Sequence, residues 1–142
     1  MNTTAVRKIH FCAGHRVLNH ESKCANFHGH NYVAWFHAEA GNLDSLGRVI
    51  DFSVLKEKIG SWVDLNWDHT SLLNKEDKDL IDCRHAMEKN KPIFICEFNP
   101  TAENMADYLL NVVCPLVLKA TGVVVTKVVL WETENCFVEV TL

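Results

Sequence analysis

The stretch CANFHGH, residues 24–30, places one cysteine and two histidines within seven positions. His28 and His30 are two residues apart. On a strand that spacing sets both imidazoles on one face. His15 closes an upstream extended stretch, AVRKIHFCAGH. If the two strands pair antiparallel across the loop between them, His15 lands beside the pair. Three imidazoles and an open fourth position are the donor set of a catalytic zinc, whereas a structural zinc is closed by four protein ligands. Gly29 between the histidines points to a close backbone approach. Cys24 lies in the polar loop ESKCAN. A nearby zinc ion and Lys23 would favour its thiolate. Spacing leaves two roles open: a fourth ligand, or a base or nucleophile beside the metal. His10, His20, His37 and His85 have no matched spacing and read as surface or packing residues.

Two further features bear on chemistry. Asp68 and His69 are adjacent in WDHTSLLN. Neighbours on an extended chain point apart, so the residues alone favour a solvated turn. Glu132 ends the apolar run TKVVLW, just before a turn. A carboxylate there suits either a ligand anchor or a strand-end surface position. Glu134, two residues on, is the lesser anchor.

The elements that must position these groups are readable in outline. The 142 residues, 48% hydrophobic and 23% charged, suit one domain spanning 1–142 with its own core. A net charge of −4 and a pI near 6.0 argue against nucleic acid as a partner. No apolar run reaches the roughly 20 residues that span a bilayer. The alternating N-terminus lacks the apolar core of a signal peptide, so a cytoplasmic protein is expected. Six cysteines are an even number, but a cytosolic chain of this size needs no disulfide framework; most read as small buried hydrophobes. Strands are expected near 5–15 and 30–40, and two more, joined near TEN, at the C-terminus. A helix capped by Asp51 or Ser53 would bury Phe52, Leu55, Ile59, Trp62 and Val63. A second, capped by Thr101, would bury Met105, Tyr108, Leu109, Val112 and Val113, and Pro115 would kink or end it. NWDHTSLLNKEDKD reads as a loop, DLIDCRHAMEKN as a short helix and PIFIC as a short extended piece. The order is ββααββ: an α+β domain with a four-stranded antiparallel sheet and two helices on one face. Its open edges invite pairing between subunits.

Taken together, FCAGHRVLNHESKCANFHGHNY, VIDFSVLK, WDHTSLLN, NPTAENMADYL and WETEN resemble, in order, the blocks of the 6-pyruvoyltetrahydropterin and 6-carboxytetrahydropterin synthase family. The resemblance covers essentially the whole chain, and the first block is the most specific. It implies Zn2+ held by His15, His28 and His30, and a catalytic set of Cys24, Asp68 and His69. It also implies that Glu132 holds the pterin ring. It disfavours Cys24 as a zinc ligand and overturns the surface readings of Asp68, His69 and Glu132. The implied architecture is the tunnelling fold, whose ββααββ subunits pair into barrels, typically a hexamer built as a dimer of trimers with active sites between subunits. The implied substrate is 7,8-dihydroneopterin triphosphate. The three residues between Cys24 and HGH resemble the 6-carboxytetrahydropterin synthases of the queuosine (7-deazaguanine) pathway. A pyruvoyl-type lyase and a non-catalytic zinc-binding protein of the same fold are the alternatives. Arg16 and Lys23 are expected, from charge alone, to meet the triphosphate. The chain departs from the family pattern in the extra leucine of DHTSLLN and in a longer, more charged segment from Asn74 to Pro92.

Overall fold

Strand β1 (Ala5–His15) alternates along its length: Ile9, Phe11, Ala13 and His15 are buried, while Lys8, His10 and Cys12 face the other way. The computed structural model describes residues 2–142. Strand β2 (His28–Ala40) repeats the alternation with Tyr32, Ala34, Phe36 and Ala38. The two pair antiparallel from Ala5↔Ala38 to His15↔His28. A one-residue slip would turn one apolar set out of the core, so the pattern fixes the register.

The sheet has six strands, not four, and is mixed. Thr70–Asn74 forms β3, Phe94–Cys96 forms β4, Val123–Thr133 forms β5 and Cys136–Thr141 forms β6. The order is β4-β3-β1-β2-β5-β6, with β1–β3 and β3–β4 parallel. The segment read as a loop around TSLLN is therefore a strand inside the sheet. It is buried on both faces from Thr70 to Leu73, and such strands show no alternation to betray them. The four antiparallel strands fall where expected, and β5 and β6 meet in a tight turn at Glu134–Asn135.

Two long helices, α1 (52–66) and α3 (102–117), cover the face of the sheet that carries Phe11, Tyr32 and Phe36. The Asp51 side chain accepts the Ser53 N–H at 2.9 Å, and Thr101 Oγ1 accepts the Asn104 N–H at 3.2 Å, so each helix begins with the expected kind of cap. Helix α2 (Lys78–Met87) buries none of its residues. Both long helices contain a π turn, at Lys56–Gly60 and Leu109–Val113. The wider turn keeps residues four apart in line, and the buried stripes follow that step: Leu55, Ile59, Val63 in α1 and Met105, Leu109, Val113 in α3. Phe52 and Val112, expected in the stripes, are 54% and 46% exposed. Pro115, which has no N–H to donate, sits in the last turn, and α3 ends at Val117.

Trp67, fully buried just after α1, is packed among Phe11, Trp62, Phe94 and Tyr108, with ring centroids 5.4–6.0 Å away. It joins both long helices to the sheet beneath the loop that carries Asp68 and His69. Cys96 and Cys114 belong to this core, and burial pushes both thiols up to about 12. Cys83 and Cys136 are exposed instead.

Candidate metal centre and active-site cleft

The β1–β2 register puts His15 opposite His28 and Ala13 opposite His30. All three imidazoles therefore leave the core-facing side of the hairpin at the end closed by the loop 16–27. One nitrogen from each lies within 4.8 Å of the other two. Ring centroids are 4.6, 5.1 and 4.8 Å apart.

Hydrogen bonds behind the rings fix two of the tautomers. His15 Nδ1 lies 2.6 Å from the Pro100 carbonyl oxygen, and His28 Nδ1 lies 2.6 Å from that of Asn26. A carbonyl only accepts, so each Nδ1 carries the proton and each Nε2 presents a lone pair. Those two Nε2 atoms face each other at 3.1 Å. Two acceptors at that separation repel, and a cation between them turns the repulsion into two bonds. His30 Nε2, buried in the same place, has no hydrogen-bond partner. Burial is the largest influence on His15 and His30 and lowers both pKa values, which keeps the rings neutral and able to ligate. Three neutral imidazoles suit Zn2+. Cys24, half-buried on the single 3₁₀ turn Lys23–Ala25, is not part of this nitrogen group.

Glu132, at the end of β5, reaches the same point: its carboxylate lies 3.5 Å from His30 Nε2 and 3.9 Å from His15 Nε2. It can answer the charge of a cation or receive N–H donors from a ligand beside it. Tyr32 packs under the rings with its hydroxyl buried and unpartnered. Burial first, and then the charge of Glu132, push the phenol well up, so it stays protonated.

Asp68 and His69 do form a pair, with Oδ2 and Nδ1 2.8 Å apart. The expectation that neighbours point apart fails because His69 has φ of +59°. This left-handed kink folds the imidazole back over the preceding carboxylate. Strand β1 holds the kink from below: Asp68 Oδ1 accepts the Cys12 N–H at 2.9 Å, and the His69 N–H donates to the Cys12 carbonyl at 2.6 Å. Burial acts to raise the Asp68 pKa. The hydrogen bonds from Cys12 and His69 and the charges of His69 and Lys91 outweigh it, so the net shift is downward. Lys91 Nζ donates to the backbone carbonyls of Asp64 and Asp68, tying the loop to the segment before β4.

A cleft of about 520 Å³ joins the two systems. His28 and His30 line one part of it, His69 another, with Cys12, Gly14, Asn31, Ser71 and Arg84 between. Arg16 does not face this cleft free: its guanidinium is paired with the carboxylate of Asp77, itself buried. That corrects the expectation drawn from its charge. Sequence reasoning also missed Pro100 and Lys91. The first acts through its carbonyl, which no side chain signals; the second is hidden in a run of charges.

The fold is shared with solved structures. An uncharacterized protein of Wolinella succinogenes superposes with a TM-score of 0.83 over 99% of this chain and 98% of that one, at 20% identity. The 6-pyruvoyl tetrahydropterin synthase of Caenorhabditis elegans matches with a TM-score of 0.69 over 100% of this chain and 96% of its own, at 25% identity. Fold and centre thus define an α+β protein of the tetrahydropterin-synthase type with a three-histidine site able to bind a metal. The sequence places it more narrowly: the profile of the 6-pyruvoyl tetrahydropterin synthase family matches residues 4–142, and the chain belongs to that family. Among its relatives, the 6-carboxy-5,6,7,8-tetrahydropterin synthases of Rickettsia bellii and Rickettsia conorii are each 41% identical over 134 residues, 94% of this chain and 96% of theirs. The enzyme of that name from Aquifex aeolicus is 29% identical over 91% of both chains. Among the described residues, no helix is long and apolar enough to cross a membrane.

Proposed function

We propose that this chain is a zinc-dependent 6-carboxy-5,6,7,8-tetrahydropterin synthase. It converts 7,8-dihydroneopterin triphosphate and water to 6-carboxytetrahydropterin, acetaldehyde and triphosphate in the queuosine (7-deazaguanine) pathway, in the cytoplasm. The observation that carries this reading is the convergence of three imidazole nitrogens, two of them with bare Nε2 lone pairs, beside a cleft that His28, His30 and His69 line together. The 41% identity to relatives of that name supports the choice of product.

His15, His28 and His30 would hold the zinc, whose Lewis acidity polarises the hydroxyls of the substrate side chain. His69, oriented by Asp68, moves protons at its exposed Nε2. Cys24 takes a proton from the side-chain carbon as thiolate. Glu132 receives the 2-amino and ring N–H donors of the pterin, a charge-assisted contact that fixes its orientation. The exposed edges of β4 and β6 suit a homo-oligomer, a hexamer of two stacked trimers with sites between subunits.

The deciding experiment is to incubate zinc-loaded protein with 7,8-dihydroneopterin triphosphate and identify the products by mass spectrometry. Acetaldehyde with a 6-carboxypterin supports the proposal. A retained diketone side chain would make it a pyruvoyl-type synthase. No consumption of substrate would leave a non-catalytic zinc-binding protein.

A further inference from the structure

Arg84 lies on α2, in the charged segment between β3 and β4 where the chain departs from the family's pattern. Its guanidinium is held in three ways. Nε donates to Ser71 Oγ at 3.1 Å, Nη1 approaches Met87 Sδ at 3.7 Å, and the group lies over the ring of Phe27 with its carbon 5.3 Å from the centroid. Phe27 in turn rests on Gly14. A Cβ at Gly14 would come within 2.7 Å of Phe27 Cζ, so the glycine is what lets the ring lie down as a platform. A guanidinium stacked and tethered in this way has lost much of its freedom before any ligand arrives.

Its charge has no ion-pair partner among the described residues. Arg16 is paired with Asp77, and Arg48 with Asp44 and Asp51. Among the described residues no carboxylate lies within ion-pair distance of Arg84, and Nη2 has no acceptor. The cleft that Arg84 shares with His28, His30 and His69 is lined by no carboxylate at all, and Arg84 is its one permanent charge. A second cavity, of about 720 Å³, adjoins it through His69, Ser71 and Arg84 and brings in Lys89 and Lys91. Asp64 and Glu88 also line that second cavity, so the uncompensated charge is sharpest at Arg84 itself.

We infer that Arg84 is the polyphosphate-anchoring residue of this active site, with its free guanidinium edge directed to the triphosphate of the substrate while the pterin side chain lies toward the three histidines. The planar fork matches phosphate oxygens two at a time. A rigid cation in a carboxylate-free cleft favours a multiply charged anion over neutral pterins, so Arg84 sets specificity for the phosphorylated substrate. The inference rests on the proposed substrate class.

The test pairs a binding arm with a turnover arm. Zinc-loaded wild type, Arg84→Gln and Arg84→Lys are titrated calorimetrically with inorganic triphosphate, with zinc content and melting temperature checked for each. Two lost charge-assisted bonds predict binding weaker by about 100-fold or more for Arg84→Gln. Arg84→Lys keeps the charge but not the fork, and is expected to weaken binding several-fold; it carries the test if Arg84→Gln does not fold. In the turnover arm, KM for 7,8-dihydroneopterin triphosphate rises about as much as the binding constant, with a smaller change in kcat. Unchanged triphosphate affinity in a folded, zinc-retaining variant overturns the inference. So does weakened triphosphate binding with an unmoved KM, which would make Arg84 a site for some other polyphosphate. Should wild type not turn the pterin over while Arg84-dependent triphosphate binding persists, the proposed reaction falls and the anion site stands.

Discussion

Replacing His28 by alanine separates the metal centre from the fold that carries it. In the metal-free protein His28 contributes a hydrogen bond to the Asn26 carbonyl and an unfavourable approach of its Nε2 to that of His15 at 3.1 Å. Losing the first costs about 1 kcal/mol at this exposed position, and losing the second offsets it. The unfolding entropy of about 2.1 cal/mol/K per residue amounts to about 0.30 kcal/mol/K for 142 residues. The apo melting temperature should therefore move by less than about 3 °C. Zinc behaves differently. At a free concentration of about 100 times its Kd, binding to the folded state alone adds about 2.7 kcal/mol, a rise of about 9 °C in wild type. With one of three ligands gone, His28→Ala should lose more than half of that rise. Cys24→Ala should keep it, because the thiol stands outside the nitrogen group, and should lose turnover instead. Differential scanning calorimetry with and without zinc, beside a pterin turnover assay, reads both variants. A full zinc shift in His28→Ala would refute the derivation of the lone-pair geometry. A lost shift in Cys24→Ala would make the cysteine a ligand and end its role as a base.

Three further outcomes follow from the packing. Trp67→Ala empties a fully buried site shared by four other aromatic rings and should destabilise by about 3–5 kcal/mol in urea unfolding. Lys91→Met leaves the Asp64 and Asp68 carbonyls without their common donor; kcat should fall while the zinc shift stays at the wild-type size. Asp68 has a lowered pKa in the folded state. The unfolded chain therefore binds its proton first on acidification, and the stabilisation is present above about 3.8 and lost as pH falls through the folded value. The stability gap between wild type and Asp68→Asn should be widest near neutrality and close in strong acid, as measured by melting temperature against pH.

The antiparallel half of the fold was legible because β1 and β2 alternate between a buried and a wetter face and β5 is a long run rich in β-branched residues. Alternation in β1 and β2 marks both the strands and the side on which the histidines stand. Strand β3 escaped because Thr70–Leu73 are buried on both faces, whereas the short extended piece read at PIFIC does contain β4. The helix stripes were read with the ordinary turn; the π turns changed the phase and put Val112 outside. The histidine spacing identified the centre because ligand type and strand geometry are both local. The Asp68–His69 pair depended on a left-handed φ at a residue with no glycine to announce it. The binding role expected for Arg16 failed for a similar reason: its partner, Asp77, lies 61 positions away.

The bond from His15 to the Pro100 carbonyl spans 85 positions in the chain. Asn99, beside it, is stapled to both backbone groups of Leu18, at 2.9 and 3.0 Å. When the histidine hairpin first leaves the ribosome, the segment that orients His15 has yet to be made. A metal that met the hairpin at that stage would find the His15 ring free to present either nitrogen. The finished geometry exists only once β4 and the start of α3 have docked, so selective metal loading belongs after synthesis, as the last act of folding.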